Sequence, residues 1–452
     1  MTKYSDERLG TESITALLFK MGMPAVAAQI INLLYNIVDR IYIGHISGTG
    51  DVALTGVGLA IPVVVLIAAF ASFVGGGGAP LASMALGQGN RERAEKIVGN
   101  SVTLLAFFSV ILFIVFYLVK EPLLYAIGAS ENTFPYADSY ISVYLFGVPF
   151  VLVTVGMNSY ISAQGRSGMA MLTTLMGAVI NIALDPLFIY GFGLGVTGAA
   201  IATVISQAVS CIWILAFLCS GRASLRIRKH CLRPEPEIIK SVAGLGVAPF
   251  VMTATESFIS IVMNAGLESY GGDAYVGALT VAQSAMQFIT VPVNGFGQGA
   301  TPVISYNYGA GNTARVKSAF KQLFLILYIY TAGFAAVEMI FPGVFAGMFT
   351  GKEELLNISV RVIPVFVAGM LVFGIQRACQ TTFLALGQAR TSLFIALLRK
   401  VFLLIPLALV FPKFFGVYGI YYAEPVADTL AALTCGTIFL VRFPKILKDK
   451  DR

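Results

Sequence analysis

The chain has 452 residues, of which 57% are hydrophobic and only 12% charged, with a formal net charge of +7 and five cysteines. Soluble domains hold about 45–50% apolar and about 25% charged residues, so this balance excludes a water-soluble globular protein and points to a chain solvated by lipid. The cysteines lack CxxC spacing, which argues against a disulfide framework or zinc site, and the positive charge fits a fringe on anionic lipid better than a nucleic-acid surface.

Apolar stretches long enough to cross about 30 Å of hydrocarbon run over 14–44, 52–85, 97–119, 136–163, 169–191, 196–218, 238–266, 274–307, 317–346, 357–385, 391–411 and 416–441. They predict twelve transmembrane helices and an all-α polytopic fold. The first residues are polar and no small-residue cleavage site follows the first span, so no cleavable signal peptide is expected.

In the first span Gln29, Asn32, Asn36 and Asp39 stand at i, i+3, i+7 and i+10, which puts them on one helical face. Such a face must turn away from lipid, because a charge at bilayer depth costs about 2.5–3.5 kcal/mol on insertion scales. Asp39 is followed at once by Arg40, so it reads either as a functional acid or as that arginine's counter-ion. The second span carries Gly75 to Gly78 and Pro80, and the eighth carries Gly295, Gly297, Gly299 and Pro302. Glycines there serve close helix packing or a hinge. A phosphate loop is excluded, since no Lys-Ser/Thr follows them.

The fifth span reads NIALDPLFI, with Asn181 and Asp185 one turn apart and Pro186 beside the acid. Proline removes an amide hydrogen, so a carboxylate, an amide and a freed carbonyl gather where a proton or hard cation prefers to sit. Asn158 of the fourth span and Thr203 of the sixth add oxygen ligands or, equally, serve as packing polar groups. The basic, Pro-containing segment at 221–237 is a cytoplasmic linker between a bundle over 1–220 and a bundle over 238–452.

In the seventh span Thr253, Glu256, Ser260 and Asn264 form another one-face stripe. The eighth presents Gln283, Gln287, Asn294 and Gln298, the tenth Gln376, Arg377 and Gln380, and the twelfth Glu424 and Asp428. Asn32, Glu256, Ser260, Gln283, Gln287, Gln376, Arg377, Glu424 and Asp428 are therefore expected around a wet substrate cavity. The four charged residues fit a compensating cluster as well as a substrate role. With only Arg377 opposing three acids, the cavity is expected to be negative, lined by Met, Tyr, Phe and amides, and selective for lipophilic cations.

The two halves repeat. Gly87, Gly89, Asn90 and Arg93 recur as Gly309, Gly311, Asn312 and Arg315, 222 residues on, and Pro80 recurs as Pro302. Gly165 recurs as Gly387, while Gly195, Val196 and Gly198 recur as Gly416, Val417 and Gly419, one residue closer. Six spans per half make this a parallel repeat about an axis along the membrane normal. Lys and Arg from Lys3 to Arg452 crowd one side, whereas the opposite loops hold Lys120, Lys352 and Lys413. Both termini are therefore expected in the cytoplasm of a cell-membrane protein.

Taken together, NxxD (Asn36 to Asp39), NxxxDP (Asn181 to Pro186), GVTGAA (Gly195 to Ala200) and the paired GxGN turns resemble the multidrug and toxic compound extrusion (MATE) family, across essentially the whole chain. The resemblance implies two six-helix bundles in a V around a central cavity and export of cationic drugs or dyes by cation antiport, with alternating access. It also implies a DinF-like or MepA-like branch in which Asp39, Asn36, Asn158, Asn181, Asp185 and Thr203 carry the coupling ion, H+ or Na+. Glu256 looks like the seventh-span acid of the NorM-like branch, but Gln376 and Arg377 stand where a tenth-span aspartate is expected. No cofactor, nucleic acid or further subunit is implied. The alternative is a lipid-linked oligosaccharide flippase of the same superfamily, which usually has extra spans and a cationic cavity. A channel or intramembrane enzyme has less support: HExxH, GxGD and a four-fold filter are all missing.

Overall fold

The computed structural model describes residues 7–451, so Lys3 and Arg452 of the basic fringe lie outside the described residues. The first half comprises α1 (Glu7–Thr11), α2 (Ile14–Gly44), α3 (Gly50–Gly87), α4 (Arg91–Ile127), α5 (Phe134–Ala163), α6 (Ser167–Pro186) and α7 (Gly195–Cys219). The second comprises α8 (Pro236–Gly271), α9 (Asp273–Gly309), α10 (Thr313–Ile340), α11 (Pro342–Phe349), α12 (Glu353–Phe366), α13 (Met370–Ala385), α14 (Ala389–Leu397), α15 (Ile405–Val410), α16 (Pro412–Phe415) and α17 (Tyr418–Asp451). Two π-helical segments interrupt them, Leu187–Gly191 after α6 and Leu398–Leu404 after α14. Among the described residues no strand is present.

Among the described residues eleven helices are long and apolar enough to span, and the pair α12 and α13, bent by 48° at its break, makes a twelfth when taken as one span. The tenth span is thus broken where sequence predicts one stretch over 357–385. At the break, a Cβ on Gly369 would lie 2.8 Å from the Pro425 Cα and 2.7 Å from the Asp428 Cβ of α17. The ninth span also ends early: Phe341 leaves helical geometry (φ −120°, ψ 48°) before Pro342, as the residue preceding a proline tends to. The apolar residues beyond it form the separate α11.

The repeat is visible in the backbone. Gly89 and Gly311 share positive φ (73° and 75°), as do Gly165 and Gly387 (81° and 71°) and Gly195 and Gly416 (56° and 60°). Only glycine enters this region without strain, so the same turn chemistry closes the same connections in each half.

The halves meet through crossed helix pairs. A Cβ on Gly77 of α3 would lie 2.3 Å from the Val242 carbonyl of α8, and one on Gly299 of α9, 222 positions later, 2.4 Å from the Met21 carbonyl of α2. Gly87 and Gly309 approach the carbonyls of Tyr306 and Met84 in the same way, at 2.0 and 2.1 Å. Backbones touch at these points because no side chain intervenes, the small-residue packing that substitutes for hydrophobic driving force within lipid. All these contacts lie at the end of the bundle that bears the termini. There Asn307 Nδ2 donates to the Leu9 carbonyl (2.8 Å), and the Lys450 ammonium sits 5.5 Å over the Tyr308 ring. Leu9, Leu17, Leu18 and Met21 accordingly join the apolar core of the second half.

Candidate functional site

Among the described residues, two polar regions gather candidate site residues within the apolar interior. In the first half, α2, α6 and α7 converge on Asp39, Asn181, Asp185 and Thr203, all of them buried. Asn181 Nδ2 donates to Asp185 Oδ1 (3.2 Å) and to Thr203 Oγ1 (3.4 Å), and the Asp39 and Asp185 carboxyls lie within hydrogen-bonding reach of each other. Asp39 Oδ1, Asp185 Oδ2 and Asn181 Oδ1 are enclosed and without a hydrogen-bond donor. One free oxygen from each acid of the pair and one from the Asn181 amide suit a proton or a hard cation, which satisfies lone pairs and removes the repulsion between the acids. The π-helical segment begins directly after Pro186. It widens the helix beside Asp185, and such bulges recur at functional positions.

Asn36 and Asn158 stand beside this cluster, not within its hydrogen bonds. Asn36 is exposed and donates to the Asn32 carbonyl (2.7 Å). Asn158 donates to the Ala170 carbonyl (3.2 Å), leaving its Oδ1 buried without a donor. Asn32, Tyr35 and Asn158 line a smaller cavity of about 130 Å³ adjoining α6 and α7. Sequence reading overlooked two tyrosines: Tyr35, close enough to feel the charge of both acids, and Tyr140, whose hydroxyl meets Thr203. Tyr35 lies one residue off the stripe of Asn32 and Asn36, and Tyr140 stands between Tyr136 and Tyr144 at four-residue spacing, a tyrosine stripe that holds no acidic or amide residue to single it out.

The second region is a cavity of about 400 Å³ between the halves, within the range of drug-binding pockets. Both halves contribute: Gln29, Gly75, Pro80 and Ser159 from the first, and Glu256, Asn294, Gln298, Arg377 and Gln380 from the second. Gln29 Nε2 donates to Gln298 Oε1 across it (3.3 Å). Its wall corrects the expectation of an aromatic lining. Among the described residues no Phe or Tyr lines it, and Met252 is its only methionine; hydroxyls, amides, small residues and prolines dominate the rest, with Val155, Leu384, Glu256 and Arg377.

Ser260, Gln283, Gln287, Gln376, Glu424 and Asp428 are not on this wall. Glu424 and Asp428 are buried in α17 and take the Arg399 guanidinium between them, with Arg399 Nη2 at 3.1 Å from Glu424 Oε1 and Arg399 Nε on Asp428 Oδ1. Lys400 Nζ donates to Glu256 Oε1 (3.0 Å) and to the Met252 carbonyl (2.9 Å). The expected negative cavity, in which Arg377 alone opposes three acids, is therefore corrected: Arg399 and Lys400 bring the formal charges to three against three. Both were overlooked because they sit inside an otherwise apolar span. Two adjacent cations at bilayer depth were themselves the signal. The π-helical segment Leu398–Leu404 carries both.

A family model described as MatE matches residues 24–187 and 249–410. A multidrug export protein MepA of Staphylococcus saprophyticus is 23% identical over 429 residues, covering 95% of this chain and 94% of that protein. Among solved structures, the outward-facing conformation of a multidrug resistance MATE family transporter of the MOP superfamily superposes with a TM-score of 0.91 at 23% identity, over 99% of this chain and 100% of that one. A MATE structure in a bent conformation gives 0.93 at 23% identity, over the whole of both chains.

Proposed function

Because this chain belongs to the MatE family, we propose that it is a secondary active multidrug exporter, driven by antiport of H+ or Na+, and not an enzyme. The observation that carries this reading is the course of one face of α2. Gln29 lines the cavity between the halves, Asn32 and Tyr35 line the smaller cavity, and Asp39 reaches the acid pair, all along a single helix. A cation taken up at Asp39 and Asp185 thus acts on the helix that also forms the drug-sized cavity.

Coupling requires that ion and drug favour different conformations, since a ligand shifts an equilibrium only through differential affinity. In the state described, the halves close on each other through Gly77, Gly87, Gly299 and Gly309 at the terminus-bearing end. We take that end as cytoplasmic from the Lys and Arg bias, so the cavity is shut toward the cytoplasm. Neutralising the carboxyl pair relieves its repulsion, lets α2 and α6 repack, and lowers affinity for the drug; release follows. The names and folds of the relatives support this reading.

The test is reconstitution into vesicles with proton and sodium gradients imposed separately, using a fluorescent organic cation as cargo. Cargo movement driven by one gradient and abolished by its ionophore is the expected result. Movement that ignores both gradients overturns the antiport reading, and strict dependence on a lipid-linked sugar as cargo would replace it with the flippase alternative.

A further inference from the structure

We propose, resting on the exporter reading above, that the cavity between the halves recognises a carboxylate on its cargo through Arg377, so that its preferred substrates are zwitterions and not simple lipophilic cations. Six charged groups surround this region, and five are matched. Arg399 is held by Glu424 and Asp428, and Lys400 by Glu256. Arg377 has no carboxylate within ion-pair distance among the described residues, and its Nε is enclosed with no acceptor. It nevertheless lines the cavity.

The enclosed Arg377 Nε has left water without finding an acceptor, which is unfavourable, while the residue itself is only partly buried and lines the cavity. A carboxylate supplies two acceptors in the planar fork that a guanidinium fits, and desolvation strengthens the bond. The rest of the wall agrees. Glu256 is pinned from behind by Lys400, yet its side chain remains 68% exposed toward the cavity, so it still offers a face to an amine while its charge is largely compensated. A cargo with both groups answers both ends. A lipophilic monocation meets a guanidinium that has no ion-pair partner among the described residues, and no aromatic face on which its charge could rest. A pyrophosphate brings more negative charge than one arginine can match, so a carboxylate is the better fit.

The experiment uses the full-length protein in detergent and two xanthene dyes that are identical except that one carries a free carboxylate and the other its methyl ester. Binding is followed by fluorescence anisotropy. The acid is expected to bind about tenfold tighter than the ester, equivalent to about 1.4 kcal/mol. Arg377→Gln should erase that preference by weakening the acid alone, and Arg377→Lys, which keeps the charge but not the fork, should restore part of it. Equal affinity for the two dyes, a preference for the ester, or equal weakening of both by Arg377→Gln overturns the proposal. The wild-type ratio needs no variant, so poor folding of a mutant does not shield it. Gradient-driven export of the same dyes is scored separately in vesicles. Export of the ester with no preference for the acid sinks the carboxylate site and leaves the exporter intact; acid-selective binding with no export does the reverse.

Discussion

Asp39 and Asp185 differ from other buried acids of this chain in meeting each other, whereas Glu424 and Asp428 meet an arginine. An acid pair in which each carboxyl keeps one oxygen without a donor can exchange a bound cation; an acid locked to a guanidinium holds helices together. Asp39→Asn and Asp185→Asn keep the shape but remove the exchangeable charge. Each should cut gradient-driven export below about a tenth of wild type, within the range of typical coupling energies, while detergent-solubilised yield stays unchanged. Normal export by both variants would move the coupling site elsewhere. The glycine contacts allow a second check at this scale. Gly77→Ala and Gly299→Ala place a methyl 2.3 and 2.4 Å from a carbonyl across the interface, so each should destabilise by about 1–3 kcal/mol through overpacking. Gly58→Ala, with nothing within 4 Å of its Cβ, is the control. By helix propensity alone alanine stabilises a helical glycine position, so a melting temperature raised equally by all three would show that propensity, not the interface, is being measured.

Among the elements, the α13, α14 and α17 region sets out the difference between a structural and a working charge. Arg399 also stacks on Phe373, with its guanidinium carbon 4.9 Å from the ring centroid, and Asp428 abuts Gly369 at the break between α12 and α13. Removing the cation alone strands two buried carboxylates, which costs about 3–5 kcal/mol for a buried pair. Arg399→Gln is therefore expected to lower the thermal midpoint and yield strongly. Adding Glu424→Gln and Asp428→Asn to it should recover most of the loss. If the triple variant is no better than the single one, Arg399 acts through something other than charge compensation, and the substrate role weighed for Glu424 and Asp428 returns.

At the scale of the whole molecule, the segment between α7 and α8 is strapped to the first half. Asn100 Oδ1 accepts from the Glu235 amide (2.7 Å), Thr103 donates to the Leu232 carbonyl (2.7 Å), and Gln164 Oε1 accepts from the Ser224 amide (2.7 Å). Cys231 lies in this strap, buried, and burial followed by the charge of Glu95 pushes its thiol above the ordinary cysteine value. An impermeant maleimide added to intact cells should leave a Cys231-only variant unlabelled. After permeabilisation it should label slowly and faster as pH rises, because the thiolate is the nucleophile and the raised value keeps it scarce. A Cys219-only variant, with its cysteine exposed at the same end, should label quickly. Labelling of either from outside would invert the topology.

Much of this was legible in the sequence because it rests on short-range periodicities. Apolar length marks spans, an i, i+3, i+7 spacing marks the polar face of α2, and a 222-residue offset reappears as paired positive-φ glycines. Asp39, Asn181, Asp185 and Thr203 were legible together because a polar group in lipid has to face another, and few were available. Charge pairing was not legible. Whether Glu256, Glu424 and Asp428 make a negative cavity depends on which cations oppose them across α8, the π-helical segment and α17, contacts separated by as many as 144 residues. The same holds for the cavity wall: aromatic residues are abundant in the sequence, but only the crossing of α3 with α8 and α2 with α9 decides which side chains face inward. Periodicity assigns a residue to a face of its own helix, while the partner of that face is set by packing, and with it the sign of the charge left for a ligand to answer.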